Sequence, residues 1–262
     1  MLAKIEPFWS WHTPIAWTGF LLFVDGWIWR RRGESPLRND RAEMVFLAVV
    51  SIPLWIVFEE YNKYTLHNWH YVGLPETLLV RYIGYAWAFA TIWPAILLSA
   101  ELVGSIRDRR APEYRRADPL RIPLGAMGWL SIAAGAAMLM WPILWPSPWL
   151  AAPVWLGFIF LLDPINARNG AESLRGDLRS GHPWRLVNLL VAGLACGVAW
   201  ECWNYWARTK WIYTVPVPPD VKLFEMPLAG YLGFPVFAVE CFVMYVFVRQ
   251  ALWRGAWRPT AL

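Results

Sequence analysis

Long apolar runs separated by short arginine-rich segments dominate the pattern of this chain. A bilayer core of about 30 Å needs about 20 residues of helix, and runs of that order lie near residues 11–30, 43–63, 79–104, 123–146, 148–163, 185–206 and 228–250. The pattern predicts an all-α polytopic membrane protein of about seven transmembrane helices. The fifth is the shortest, tied to the fourth by Pro146-Ser147-Pro148. Pro94 and Pro235 fall inside the third and seventh and predict kinks.

The polar positions within this pattern occur twice. Gly19 to Asp25 reads GFLLFVD and Gly157 to Asp163 reads GFIFLLD, an offset of 138, at which Arg30, Glu34 and Ser35 also meet Arg168, Glu172 and Ser173. At an offset of 142, Glu59, Asn62, Trp69 and Tyr71 meet Glu201, Asn204, Trp211 and Tyr213, so E-x-x-N followed by W-x-Y recurs at identical spacing. Such ordered matches indicate an internal duplication. The expected organisation is a three-helix repeat over 1–122, a linking helix over 123–147 and a second three-helix repeat over 148–262.

Composition agrees with a membrane class: 58% of residues are hydrophobic and 16% charged. The basic residues concentrate in 30–41, 107–121, 168–185 and the tail from 249. Lys and Arg are retained on the cytoplasmic side, so seven helices place the N-terminus outside and the C-terminus in the cytoplasm, with the two repeats parallel. The net charge of +5 follows from this bias, and nucleic acid is not an expected partner. No cleavable signal peptide is expected; the expected location is a bacterial inner (cytoplasmic) membrane.

Cys196, Cys202 and Cys241 lie inside predicted spans without a C-x-x-C, which argues against a disulfide framework or structural zinc. His67 and His70, near Glu59 and Glu60, either hold one metal ion or belong to an interfacial loop. The second reading is favoured, and neither a metal nor a cofactor is expected. No Walker loop, dinucleotide fingerprint or G-x-S-x-G is present. The seventh helix also lacks the lysine a retinal protein needs.

An acidic side chain at mid-span costs about 2.5–3.5 kcal/mol on insertion scales, so the intramembrane carboxylates carry information. Glu59, Glu60 and Asn62 fall in the outer third of the second helix, and Glu201 and Asn204 at the same depth of the sixth. Residues three apart share a helical face, so the polar faces of both repeats point at one central space. They form either a Glu-Asn clasp between the halves or a catalytic group. Glu225, at the start of the seventh helix, and Glu240, near its middle, complete the candidate acids. Asp25, Asp163 and Glu101 lie lower, beside arginines, and read as structural ion pairs.

Tryptophan is abundant, at 21 residues. Many serve as interfacial anchors, yet Trp55, Trp69, Tyr71, Trp200, Trp203, Trp211, Tyr213 and Tyr231 are candidates for a substrate-binding wall beside the acids. Aromatic faces stabilise cations, and a protonated alkene is a cation.

The duplicated three-helix unit with a linking helix, and the acidic pair in F-E-E-Y over Phe58 to Tyr61, resemble the lycopene cyclase-domain family of small membrane proteins, of the heterodimeric bacterial and fused fungal or archaeal type. Glu59 and Glu60 match the acidic pair. In the second copy Glu201 matches and Cys202 takes the other place, while Val57 and Ala199 stand where the family carries proline. The resemblance implies redox-neutral cyclisation of polyene ends. The expected function is acid-initiated cyclisation or isomerisation of an isoprenoid or carotenoid-type lipid within the bilayer. One of Glu59, Glu60 and Glu201 protonates an alkene, another carboxylate accepts a proton, and Asn62 and Asn204 orient the acids. The alternatives are a proton-coupled transporter of a small molecule or lipid and a non-catalytic scaffold; homo-oligomerisation is left open.

Overall fold

The computed structural model describes residues 5–108, 119–216 and 221–252. Arg109, Arg110, Arg115 and Arg116, and the basic residues beyond 252, carry part of the expected charge bias and lie outside the described residues. The helices are α1 (His12–Arg32), α2 (Pro36–Asn39), α3 (Arg41–Tyr61), α4 (Leu78–Ala90), α5 (Ile92–Arg107), α6 (Gly125–Leu144), α7 (Ala151–Arg168), α8 (Leu174–Arg179), α9 (Trp184–Trp206) and α10 (Gly233–Leu252). Short strands β1 (Trp69–Val72), β2 (Lys210–Tyr213), β3 (Lys222–Leu223) and β4 (Met226–Pro227) lie between them.

Six segments are long and apolar enough to cross a membrane: Arg41–Leu66, Leu78–Arg107, Gly125–Leu144, Pro148–Arg168, Trp184–Trp206 and Leu228–Leu252. They define an all-helical integral membrane protein. Helix α1 matches them in length at 21 residues but not in apolarity, with Thr13, Thr18 and Asp25 along it, so six of the seven predicted spans meet both criteria. Met127, Trp129, Leu130, Trp141 and Leu144 of α6 are exposed, a row of apolar side chains that suits a lipid-facing surface and would be costly in water.

Helices α5 and α10 form the centre, with residues 92–101 and 237–246 buried throughout. The Trp93 indole of α5 donates to the Cys241 carbonyl of α10 at 2.8 Å. Close approach depends on small residues. A β-carbon at Gly135 of α6 would lie 2.7 Å from the Gly157 carbonyl of α7, and one at Gly193 of α9 would lie 2.5 Å from the Phe234 carbonyl of α10.

Repeated residues make repeated contacts. Asp25 accepts from Ser35 Oγ at 2.8 Å and the Leu37 amide at 2.9 Å, at the start of α2. Asp163 accepts from the Leu174 and Arg175 amides at 2.7 and 3.1 Å, at the start of α8. Each carboxylate satisfies the free amides of a short helix, so backbone donors take the place expected for arginines. Glu101 pairs with an arginine, Arg32 of α1; most of the arginine-rich stretch that follows it in sequence lies outside the described residues.

The expected kinks are helix starts. Pro94 is the third residue of α5 and Pro235 the third of α10, where a missing amide costs nothing within the helix. The predicted third helix is therefore divided at Thr91 into α4 and α5. Ser51 enters the break, donating to the Phe89 carbonyl and accepting from the Trp93 amide.

Candidate functional site

The W-x-Y segments form strands that pair with one another. β1 and β2 run antiparallel, with Trp69 opposite Tyr213 and Tyr71 opposite Trp211. Side chains two residues apart share a face of a strand, so Trp69, Tyr71, Trp211 and Tyr213 stand on one side, and all four line a cavity of about 490 Å³. His70, between them, is exposed.

Behind the strands lie the two expected acids. The Tyr71 hydroxyl donates to Glu59 Oε1 at 2.5 Å, and the Trp55 indole reaches the same oxygen at 2.7 Å. In the second half Tyr213 donates to Glu201 Oε1 at 2.7 Å, while the Trp211 indole bonds the Tyr213 hydroxyl at 2.8 Å. Glu201 is wholly buried and its Oε2 has no hydrogen-bond partner among the described residues. Burial, and then the neighbouring carboxylate, push the Tyr71 and Tyr213 phenols well above the ordinary tyrosine range, so both remain protonated.

The asparagines serve the backbone and not the acids. Asn62 Nδ2 donates to the Trp69 carbonyl at 2.8 Å, and its Oδ1 accepts from the Asn68 and Trp69 amides at 2.7 and 3.1 Å. Asn204 makes the matching pair to the Trp211 carbonyl and amide, at 2.8 and 2.9 Å. Each clamps the turn between its helix and its strand, and the link between the halves is the strand pair itself. This corrects both roles expected for the asparagines, as orienters of the acids and as members of a Glu-Asn clasp.

Of the expected aromatic wall, Trp55, Trp69, Tyr71, Trp200, Trp211 and Tyr213 line the cavity. Trp203 instead packs edge-on against Trp17, centroids 4.5 Å apart, and Tyr231 donates to the Leu223 carbonyl. The acids Glu59 and Glu201 stand one layer behind the lining, separated from the cavity by their tyrosines. Glu60 is exposed. Glu225 pairs with Lys210. Glu240 is wholly buried on α10 and does not line the cavity. His67 and His70 are exposed, and no group of His, Cys, Asp and Glu fit to hold a metal is found among the described residues.

Sequence reasoning missed Trp17, Arg81, Tyr85, Phe89, Trp155 and Phe237, which also line the cavity. The spacing of Arg81, Tyr85 and Phe89, each four residues from the next, was the available signal for a shared helical face. Tyr85 continues the wall from the first dyad, its ring 5.5 Å from that of Tyr71 and stacked at 5.6 Å on Phe89.

Compared with known proteins, the chain matches no family model, and no curated protein or solved structure shows significant similarity.

Proposed function

We propose that the chain is a membrane enzyme that cyclises or isomerises an isoprenoid lipid without redox change, and that its two halves are parallel repeats related by an axis through the strand pair. The observation that carries this reading is the pair of Glu-Tyr hydrogen bonds, Glu59 with Tyr71 and Glu201 with Tyr213, at the wall of one aromatic cavity. The recurring three-helix pattern and the acidic pair Glu59 and Glu60 motivate a kinship with lycopene cyclase-domain proteins, and the arginine-rich segments motivate an external N-terminus and a cytoplasmic C-terminus.

The tyrosines lead the chemistry, because their hydroxyls and not the carboxyls face the substrate. With a carboxyl protonated, its proton moves to the phenol oxygen as the phenol proton moves to an alkene carbon. The products are a carboxylate, a neutral tyrosine and a carbocation. Aromatic faces around the cavity stabilise that cation by about 2 kcal/mol when water is excluded. The second dyad then runs in reverse: its tyrosine takes a proton from the carbon next to the cation while passing its own to the carboxylate. One proton enters and one leaves, and the product keeps the mass of the substrate.

Expression in a host accumulating acyclic isoprenoids tests this. The expected result is a product of unchanged mass and altered chromatographic retention, absent with the Tyr71→Phe, Tyr213→Phe double variant. No product from the folded, membrane-inserted wild type across acyclic isoprenoids would overturn the enzymatic reading and favour a transporter or scaffold.

A further inference from the structure

The cavity wall is aromatic and aliphatic almost throughout, and Arg81 is the one charged residue among the described residues that line it. Its Nε and Nη2 both donate to the Pro75 carbonyl, at 3.0 and 2.8 Å, which fixes the guanidinium plane and leaves Nη1 without a hydrogen-bond partner among the described residues. No described carboxylate pairs with it. Glu76, next to Pro75 in sequence, is exposed and forms no ion pair with Arg81 among the described residues, and Glu59 is occupied by Tyr71 and Trp55.

Other uncommitted polar atoms lie in the same lining. The Trp11 indole nitrogen, Thr13 Oγ1 and Asn68 Oδ1 are buried without hydrogen-bond partners among the described residues, and Asn68 as a residue is only 3% exposed. The Trp11 nitrogen sits against Gly84, where a β-carbon would lie 3.1 Å away, within one turn of Arg81 on α4. A half-buried guanidinium on an otherwise apolar wall is a contact for an anionic group. A bare hydrocarbon offers it no partner.

We propose that the substrate of this cavity is an amphiphile, an isoprenoid chain bearing a phosphate- or diphosphate-type headgroup, with the headgroup held by Arg81. The inference rests on the isoprenoid reading above and specifies it. A planar guanidinium fork matches phosphate oxygens. From Arg81 the chain runs along Tyr85 and Phe89 on the same face of α4. Tyr85 adjoins Tyr71, so the first dyad meets the chain about one helical turn, roughly 6 Å, from the headgroup. The reacting double bond is then near the head and not at the far end of the chain.

The test uses the full chain in phosphatidylcholine nanodiscs, with quenching of the cavity tryptophans as readout. The probes are geranylgeranyl diphosphate, geranylgeraniol and inorganic pyrophosphate. The diphosphate is expected to bind about tenfold or more tightly than the alcohol. Arg81→Gln should abolish that margin while leaving alcohol binding unchanged, which also shows that the variant is folded, and Arg81→Lys should restore part of it. Equal affinity for alcohol and diphosphate in the wild type, or a margin that survives Arg81→Gln, would overturn the headgroup site and leave the isoprenoid cavity standing. Binding of pyrophosphate as tight as that of the diphosphate lipid would identify a free-anion site and overturn the amphiphile. Failure of both isoprenoids to bind would remove the isoprenoid reading as well.

Discussion

Trp69 stands opposite Tyr213 in the strand pair, and the same contact recurs as Tyr71 opposite Trp211. The sequence offset of 142 converts one pairing into the other, which gives the pair a local twofold between His70 and Ile212. A single register therefore brings both Glu-Tyr dyads to one cavity. A slip of either strand by one residue would turn its two aromatic side chains to the opposite face, away from those of its partner.

The two dyads are unequal, and their variants should differ. Glu59 keeps the Trp55 indole when Tyr71 is lost, whereas Glu201 Oε1 loses its tyrosine donor while Oε2 already has no partner. Leaving a buried acceptor unsatisfied costs about 1–3 kcal/mol. Tyr213→Phe is expected to lower the thermal unfolding midpoint more than Tyr71→Phe, in detergent or nanodiscs. An equal or reversed order would show that Glu201 is satisfied by something other than Tyr213.

Alkaline stability should report the same tyrosines. Their folded-state pKa values are raised, first by burial and then by the neighbouring glutamates. The unfolded chain ionises tyrosine near pH 10, below the folded value, so the stabilising contribution is complete below about pH 10 and is lost as pH rises beyond it. The unfolding midpoint should fall above about pH 10, and less steeply in the Tyr71→Phe, Tyr213→Phe variant. Parallel curves for the two proteins would contradict the raised values.

Much of the site could be read from sequence because recurrence marks it: Glu59, Asn62, Trp69 and Tyr71 are matched by Glu201, Asn204, Trp211 and Tyr213 with their spacing intact. The partners of those residues could not be read in the same way. Helical periodicity puts Glu59 and Asn62 on one face, but Asn62 turns to the backbone six and seven residues ahead, a contact created by the turn into β1. Residues 69–72 are too short a segment to announce a strand, and their partner lies far away in sequence. Pro94 reads from sequence as a kink, and the break at Thr91 with Ser51 of α3 inserted into it makes it a helix start. Arg81 lies outside the residues that recur identically.

Removal of either asparagine clamp should loosen both strands. Asn62→Ala deletes the bonds to the Trp69 carbonyl and to the Asn68 and Trp69 amides, and is expected to cost about 2 kcal/mol or more. Because β1 is paired to β2, amide hydrogen exchange should rise at 210–213 as well as at 69–72. Acceleration confined to 69–72 would mean that β2 is held by Asn204 alone.

Glu240 poses the opposite case, an acid whose removal should help the fold. It is 0% exposed, both carboxylate oxygens lack hydrogen-bond partners among the described residues, and it does not line the cavity. Its neighbours on α10 are Val239 and Cys241, and residues 237–246 are buried throughout. Burying a polar group without a partner costs about 1–3 kcal/mol, and Met matches the length of Glu. Glu240→Met is therefore expected to raise the unfolding midpoint and to leave isoprenoid binding intact. A lower midpoint would mean that Glu240 has a bonding partner in the folded protein. A higher midpoint with lost turnover but intact binding would make it a proton reservoir for the dyads, acting through the packed core between α10 and α3.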